Sequence, residues 1–277
     1  MGGLVTPRMH LYILASGSKG NAAVVAGPTG SILVDCGLSR RELHRRAELV
    51  DCDLSRVCAI LVTHEHGDHT SGLSVICNHF GGPIYATKGT ATARTHLQRL
   101  PLQAVPHSFS LDAGGMHIQA FPTSHDVADP MCFRFEVVEN GHVADAIGWA
   151  TDTGYLTDEA FDALQGCRIL GIEANHDPDM LANGPYPYYL KARVAGKTGH
   201  LSNEQAAQAL PRLVSPNTQA IVAMHISEKN NQPSLAAKAL AQAVGAKFED
   251  AAHTQARTPD GRLGVCVSSQ RKPLVIW

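Results

Sequence analysis

Residues 64–69, HEHGDH, set five ionisable side chains in six positions directly after VCAILV at 57–62. A short apolar run bounded by polar residues reads as a buried strand. Ending such a strand in imidazole and carboxylate is costly unless the groups are paired or bind a metal. Histidine nitrogen with carboxylate oxygen suits zinc, manganese or iron. On a loop, His64, His66, Asp68 and His69 stand at i, i+2, i+4 and i+5 and can converge on two neighbouring points. One ion needs about three protein ligands plus water. Four candidates here, with more downstream, therefore point to two metals. The competing reading, a solvated polar loop, leaves the clustering behind a core strand without a cause.

The rest of the composition narrows the class. The net charge is -2 over 277 residues, so no global basic field advertises nucleic acid. The length fits one large domain or two small ones. Seven cysteines, at 36, 52, 58, 77, 132, 167 and 266, are odd in number and lack CxxC spacing. That argues against a disulfide framework or a cysteine zinc site, and for reduced, mostly buried thiols. The apolar patch LYILA at 11–15 is too short for a secretion signal, and no run is long enough for a membrane span. The expected location is the cytoplasm, with no membrane partner.

Apolar runs alternate with turn signals. MHLYILASG, NAAVVAG and SILVDCG read as three antiparallel strands; 39–50 reads as a helix capped by Ser39. Residues 57–63 form a strand, 70–82 a helix ending at paired glycines, 83–86 a strand and 87–99 a helix. MHIQAFPTSH is a strand entering a loop, and MCFRFEVVE and VADAIGWATDTG pair through the Asn140-Gly141 turn. A strand at 169–173, helices near 188–195 and 203–213, a strand at 219–225 and a helix at 233–244 follow. One or two more strands are expected after Asp250. The expected fold class is α/β, with two mixed sheets packed together and helices outside, in a single domain over 1–277. Asp35, His64, His125, Asp152, Glu173 and His225 all fall where strands end, which is where a rigid scaffold presents chemistry.

H-x-H-x-D-H after an apolar strand resembles the signature of the metallo-β-lactamase fold superfamily. Its other marks follow in order: Asp35 in LVDCG, His125 in PTSHD, Asp152 in ATDTG and His225 in VAMHIS. The resemblance implies a four-layer αβ/βα sandwich. It implies one metal held by His64, His66 and His125, another by Asp68, His69 and His225, and Asp152 bridging both. Two such ions can clamp the attacking and leaving oxygens of a displacement. Asp35 would stand behind the ligands, orienting a histidine through its other ring nitrogen; a strand-end turn aspartate is its plainer role. Redox relatives resemble H-x-E-x-D, so histidine at 66 favours hydrolysis.

ILASGSKGNA, EANHD, GPYPYYLKARVAGKTGHLSN and HISEKNN resemble the YycJ/WalJ family of bacterial metal-dependent exonucleases, over about 11–231. This resemblance implies a 5′→3′ exonuclease on double-stranded DNA, linked to mismatch repair. Its cofactors would be two divalent cations, Zn2+ or Mn2+. DNA would be its partner, with repair proteins as candidate further partners. Asp68, Asp152 and His200 would carry the chemistry. Two alternatives stay open: a hydrolase of a small phosphodiester, thioester or lactone, and a metal-stabilised nucleic-acid-binding or regulatory protein without turnover.

The remaining motifs supply candidate substrate contacts. In SGSKGN, Ser16, Ser18 and Asn21 could aim hydroxyl and amide groups at phosphate; a tight turn explains them equally well. Ser202 with Gln205 reads as a capping box, which puts His200 just before a helix start that favours anions. His200 could bind a phosphate oxygen or protonate the leaving group. Glu173 and His176 could orient His200 or touch substrate. Lys191, Arg193 and Lys197 are candidate phosphate contacts, whereas Arg40, Arg41, Arg45 and Arg46, interleaved with Glu42 and Glu48, read as a solvated face. Ser227 and Asn230 would line the pocket. YPYY at 186–189, the one aromatic cluster, is expected to pack against a helix. Only 72 residues lie between Asp152 and His225, too few for a lid domain.

Overall fold

A computed structural model describes residues 8–277, which gather into two compact units. One comprises 8–122, 127–145 and 269–277; the other comprises 123–126 and 146–268.

The first unit opens with β1 (His10–Ala15), β2 (Ala22–Ala26) and β3 (Ser31–Val34), antiparallel as expected. Helix α1 (Arg40–Glu48) starts where Ser39 accepts the Glu42 backbone N–H. Strand β4 (Val57–Leu61) runs parallel to β3, so both end at the same edge. There the chain delivers Asp35 one residue after β3 and His64 three residues after β4. Short helices α2 (Gly67–Thr70) and α3 (Leu73–Ile76) follow, then β5 (Ile84–Thr87), α4 (Lys88–Ala93) and β6 (Leu102–Val105), the strands again parallel. Strands β7 (Phe109–Ala113), β8 (Met116–Pro122) and β9 (Met131–Glu139) form an antiparallel meander. Asn140 and Gly141, both at positive φ, turn β9 into β10 (His142–Ala150). A core of Leu14, Val24, Leu33, Leu43, Ile60, Val62 and Leu73 sits under this unit.

In the second unit the end of β10 leads to α5 (Asp158–Leu164), β11 (Ile169–Glu173), α6 (Pro178–Asn183), α7 (Tyr188–Val194) and α8 (Asn203–Leu213). Strand β12 (Ala220–Met224), α9 (Pro233–Ala243), β13 (Lys247–Phe248), β14 (Gln255–Arg257) and β15 (Gly264–Val267) complete it. Strands β10, β11, β12 and β15 are parallel, and β14 and β13 add antiparallel. Every residue of β11 is buried, as a parallel strand covered on both faces requires. Parallel strands open their C-terminal ends along one edge, where α/β sheets bind ligands. That edge carries Asp152, Glu173 and His225. The chain returns to the first unit as β16 (Leu274–Ile276), which pairs antiparallel with β1. Among the described residues there are seven strands in one sheet and nine in the other, and both are mixed, as the α/β expectation required.

Several local expectations fail for identifiable reasons. Of the helix expected over 70–82, only Thr70, the last residue of α2, and α3 are α-helical, and Gly72 between them lies against the backbone of the turn after β3. Its N–H donates to Cys36, and a Cβ there would sit 2.0 Å from the Leu38 carbonyl oxygen. Arg46 is buried rather than solvated: it pairs with Glu42 at 2.7 Å and donates to the carbonyls of Leu14 and Gln270. The charge pattern of α1 hid a residue that ties the helix to β1. Strands β6 and β7 and helices α5 and α6 were unforeseen, although Thr157 and Asp177 cap the two helices. Three strands, not one or two, follow Asp250. No helix among the described residues is long and apolar enough to cross a membrane.

Candidate metal centre

In the first unit, the HEHGDH loop folds around a buried carboxylate. Asp35, 1% exposed and at φ 59°, accepts the Thr63 N–H at 2.8 Å and the Thr63 hydroxyl at 2.8 Å. It also meets His69 Nδ1 at 2.7 Å. A carboxylate beside Nδ1 fixes the proton there and turns the Nε2 lone pair outward, the arrangement a metal-ligating imidazole needs. Thr63 holds His64 in the same sense, its hydroxyl lying 3.0 Å from His64 Nδ1. His64 Nε2 and His66 Nδ1 are 3.1 Å apart. Two nitrogens bound to one tetrahedral zinc at about 2.0–2.1 Å would be separated by roughly 3.3 Å, so this spacing fits a shared ion. Glu65 takes no part: it accepts the Ala128 N–H at 2.8 Å.

Asn21 locks the far side of this loop. Its amide N–H groups face Gly17 O at 3.1 Å, Asp68 Oδ2 at 3.1 Å and His69 Nε2 at 2.9 Å, while its backbone N–H donates to the Asp68 carbonyl. The loop passes so close to Gly37 that a Cβ would lie 1.6 Å from the Asp68 carbonyl oxygen, so only glycine fits.

In the second unit, the cluster is assembled from separate strand ends. Glu173 closes β11 and is fully buried. Its Oε2 accepts the backbone N–H groups of Thr153 at 2.9 Å and Leu201 at 3.1 Å. Its Oε1 meets His200 Nδ1 at 2.8 Å and His225 Nδ1 at 3.0 Å. Burial by itself would raise the Glu173 pKa, but the charges and hydrogen bonds of His200 and His225 outweigh it and hold the carboxyl well below its ordinary value. One buried anion thus sets the tautomer of two imidazoles. Asp152 Oδ1 lies 3.3 Å from His225 Nδ1 and 3.9 Å from His125 Nε2. His125 Nδ1 is 3.0 Å from the Gly199 carbonyl, which puts its lone pair on Nε2. Asp152, Glu173, His200 and His225 each offer an N or O atom within 4.8 Å of the others. Asp152 and His225 adopt φ 55° and 54°, a left-handed backbone that side chains other than glycine seldom take and that gathers at functional sites.

Three asparagines, none singled out from the sequence, bind the loops of this cluster together. Asn175 donates to the His225 carbonyl at 2.8 Å, Asn231 donates to the Ala174 and Asn175 carbonyls, and Asn203 and Asn231 pair through their amides. The motifs EANHD, GHLSN and HISEKNN therefore meet in space. The capping box is formed, with Ser202 accepting from Gln205 N–H at 3.1 Å and Gln205 Oε1 from Ser202 N–H at 2.8 Å.

The expected substrate contacts are placed unevenly. Ser18 is exposed, but Ser16 and Asn21 are buried, and Asn21 faces ligand side chains instead of open space. Lys191 Nζ donates to the Ala182 carbonyl at 2.7 Å, and the Arg193 guanidinium pairs with Asp126. Lys197 is exposed. His176 is buried, and its pKa is pushed down to about 4 by desolvation. Asn230 is buried, and Ser227, half-buried, accepts the Asn230 N–H. Donors of both clusters are nitrogen and oxygen only, with imidazole tautomers fixed by buried carboxylates, threonine or a carbonyl; this fits divalent zinc or manganese.

Over residues 31–226 the chain matches a family described as a β-lactamase superfamily domain. It is 34% identical over 244 residues to the exodeoxyribonuclease YycJ of Bacillus anthracis, covering 86% of this chain and 90% of that protein. It is 35% identical over 237 residues to the exodeoxyribonuclease WalJ of Streptococcus pneumoniae, covering 81% and 84%. Among solved structures, the metallo-β-lactamase fold protein YhfI of Bacillus subtilis superposes with a TM-score of 0.65 at 14% identity, over 97% of this chain and 99% of that one, a likeness of fold alone.

Proposed function

The chain belongs to the metallo-β-lactamase superfamily and within it to the YycJ/WalJ family, and on that premise we propose that it digests double-stranded DNA from the 5′ end with two divalent metals. It is a metal-dependent hydrolase of the nuclease kind. The observation that carries the reading is the cluster of Asp152, Glu173, His200 and His225 at one edge of a parallel sheet, within reach of a cation. The order of motifs in the sequence supports the ligand assignment: His64, His66 and His125 for one ion, Asp68, His69 and His225 for the other, Asp152 for both.

Bound metal would supply Lewis acidity and a nucleophile at neutral pH. The chain's own residues do the rest. Glu173 holds His200 by Nδ1, which orients the ring and leaves Nε2 as the atom that would give a proton to the departing oxygen. Asp35 and Glu173 keep the ligand imidazoles in one tautomer. By the same family reading, the process served is mismatch repair and the compartment the cytoplasm.

The test is to purify the full chain, measure bound metal and follow 5′-labelled duplexes with manganese or zinc. Stepwise loss of nucleotides from the 5′ end is expected. A metal-loaded protein that cleaves a small phosphodiester but leaves duplexes intact would reject DNA as the substrate. Metal-dependent DNA binding without any cleavage would reject turnover.

A further inference from the structure

We propose that Tyr188 and Tyr189, at the start of α7, form a stacking platform for nucleobases of the strand being digested; this rests on the DNA reading above. The sequence alone suggested that these rings pack against a helix. Instead Tyr188 is 86% and Tyr189 73% exposed. With Tyr155, at 46%, they are the exposed large hydrophobic side chains of the second unit among the described residues. Adjacent exposed aromatic rings leave apolar area in water, which a chain without a partner for them gains by removing.

Their mount is rigid and ends at the candidate site. Pro185 and Pro187 fix the backbone leading into the helix, and Pro187 is its N-cap residue. Lys191 ties α7 back to the Ala182 carbonyl in α6. At the other end, the Val194 carbonyl accepts the His200 N–H at 2.9 Å, and Arg193 pairs with Asp126, the neighbour of His125. Seven helical residues put Tyr188 roughly 9 Å along the axis from Val194. Stacked bases are about 3.4 Å apart along a strand. That rise matches the length of about two to three stacked nucleotides. The exposed Lys197 supplies positive charge on the same stretch. A ring with two side-chain torsions gives contact area at small entropic cost and accepts any base, as a nuclease without sequence preference needs.

The experiment compares the manganese-loaded full chain with the Tyr188→Ala/Tyr189→Ala and Tyr188→Phe/Tyr189→Phe double variants, after confirming equal metal content and equal melting temperature. Steady-state digestion of 5′-labelled duplexes should give a KM raised about tenfold or more by the alanines, with a smaller change in kcat, and restored by the phenylalanines. Fluorescence of 2-aminopurine at the second or third nucleotide should be quenched by the wild type and not by the alanine variant. Unchanged KM and quenching in the alanine variant, from a wild type that digests DNA, would overturn the platform alone. A wild type that hydrolyses bis(p-nitrophenyl) phosphate but not DNA would overturn the DNA reading and the platform with it. A smaller assembly mass for the alanine variant in sedimentation would assign the rings to an interface between copies.

Discussion

The histidine–carboxylate clusters of the two units solve one problem in opposite ways. In the first, a single loop of six residues brings nearly everything, and Asp35 and Asn21 arrive from neighbouring turns to hold it. In the second, His125, Asp152, Glu173, His200 and His225 come from five places in the chain. Each cluster is centred on a buried carboxylate. Asp35 receives one imidazole, one hydroxyl and one amide; Glu173 receives two imidazoles and two amides. The contiguous cluster gets its order from a short loop with little freedom. The dispersed one gets it from a parallel sheet, whose strand ends open side by side, and from an asparagine network that stitches the loops.

The sharpest way to break this comparison is to remove one carboxylate from each cluster. Asp68→Ala and Asp152→Ala should each abolish detectable turnover on end-labelled DNA while circular dichroism still reports a folded chain. Near-wild-type activity in either variant would mean that its cluster is dispensable. Next in size is His200→Ala. Losing a proton donor costs roughly 10²–10⁴-fold in kcat, and bound metal measured by atomic emission should be unchanged, because His200 is not among the proposed ligands.

The two central carboxylates offer a finer contrast. Groups that orient metal-bound histidines are worth about 10–100-fold in metal affinity or activity. In activity, Glu173→Gln should fall toward the upper end, since it holds both the proposed ligand His225 and the proposed acid His200, and Asp35→Asn toward the lower, since it holds the proposed ligand His69 alone. Steady-state kcat on end-labelled DNA, at saturating metal, measures both; equal losses would show that the number of rings held does not matter.

The smallest effect concerns pH. Burial lowers the His176 pKa to about 4 from an ordinary 6.5, so the folded protein keeps this ring neutral while the unfolded chain protonates it. Its contribution to stability is present above pH 6.5 and is lost as pH falls from 6.5 through 4. Melting temperatures of the metal-free protein should drop over that window, and His176→Gln should flatten the drop by a few degrees. An identical slope in the variant would mean that His176 is not the group responsible.

Much of the fold could be read in advance where a local rule fixes the answer. Ser39 caps α1, Ser202 and Gln205 form their box, and Ile169–Glu173 is the buried strand its apolar residues describe. Reading failed where a distant contact decides. Gly72 looked like a helical residue but is a point of close approach to the Leu38 carbonyl. Arg46 looked solvated but reaches Leu14 and Gln270. Asn21 looked like a phosphate-facing loop residue, yet its amide faces Asp68 and His69.

By itself the sequence determined the chemistry available: nitrogen and oxygen donors, clustered after one strand and recurring at the ends of others. Side-chain identity and short-range spacing are local properties, written directly in the order of residues. Only the tertiary structure decided which carboxylate faces which imidazole. It also decided that Asn175, Asn203 and Asn231 join three distant motifs, and that the rings of Tyr188 and Tyr189 point to solvent. Those outcomes depend on which strands run parallel and which loops share an edge. Contacts of that kind are fixed by packing the whole unit, not by any one segment.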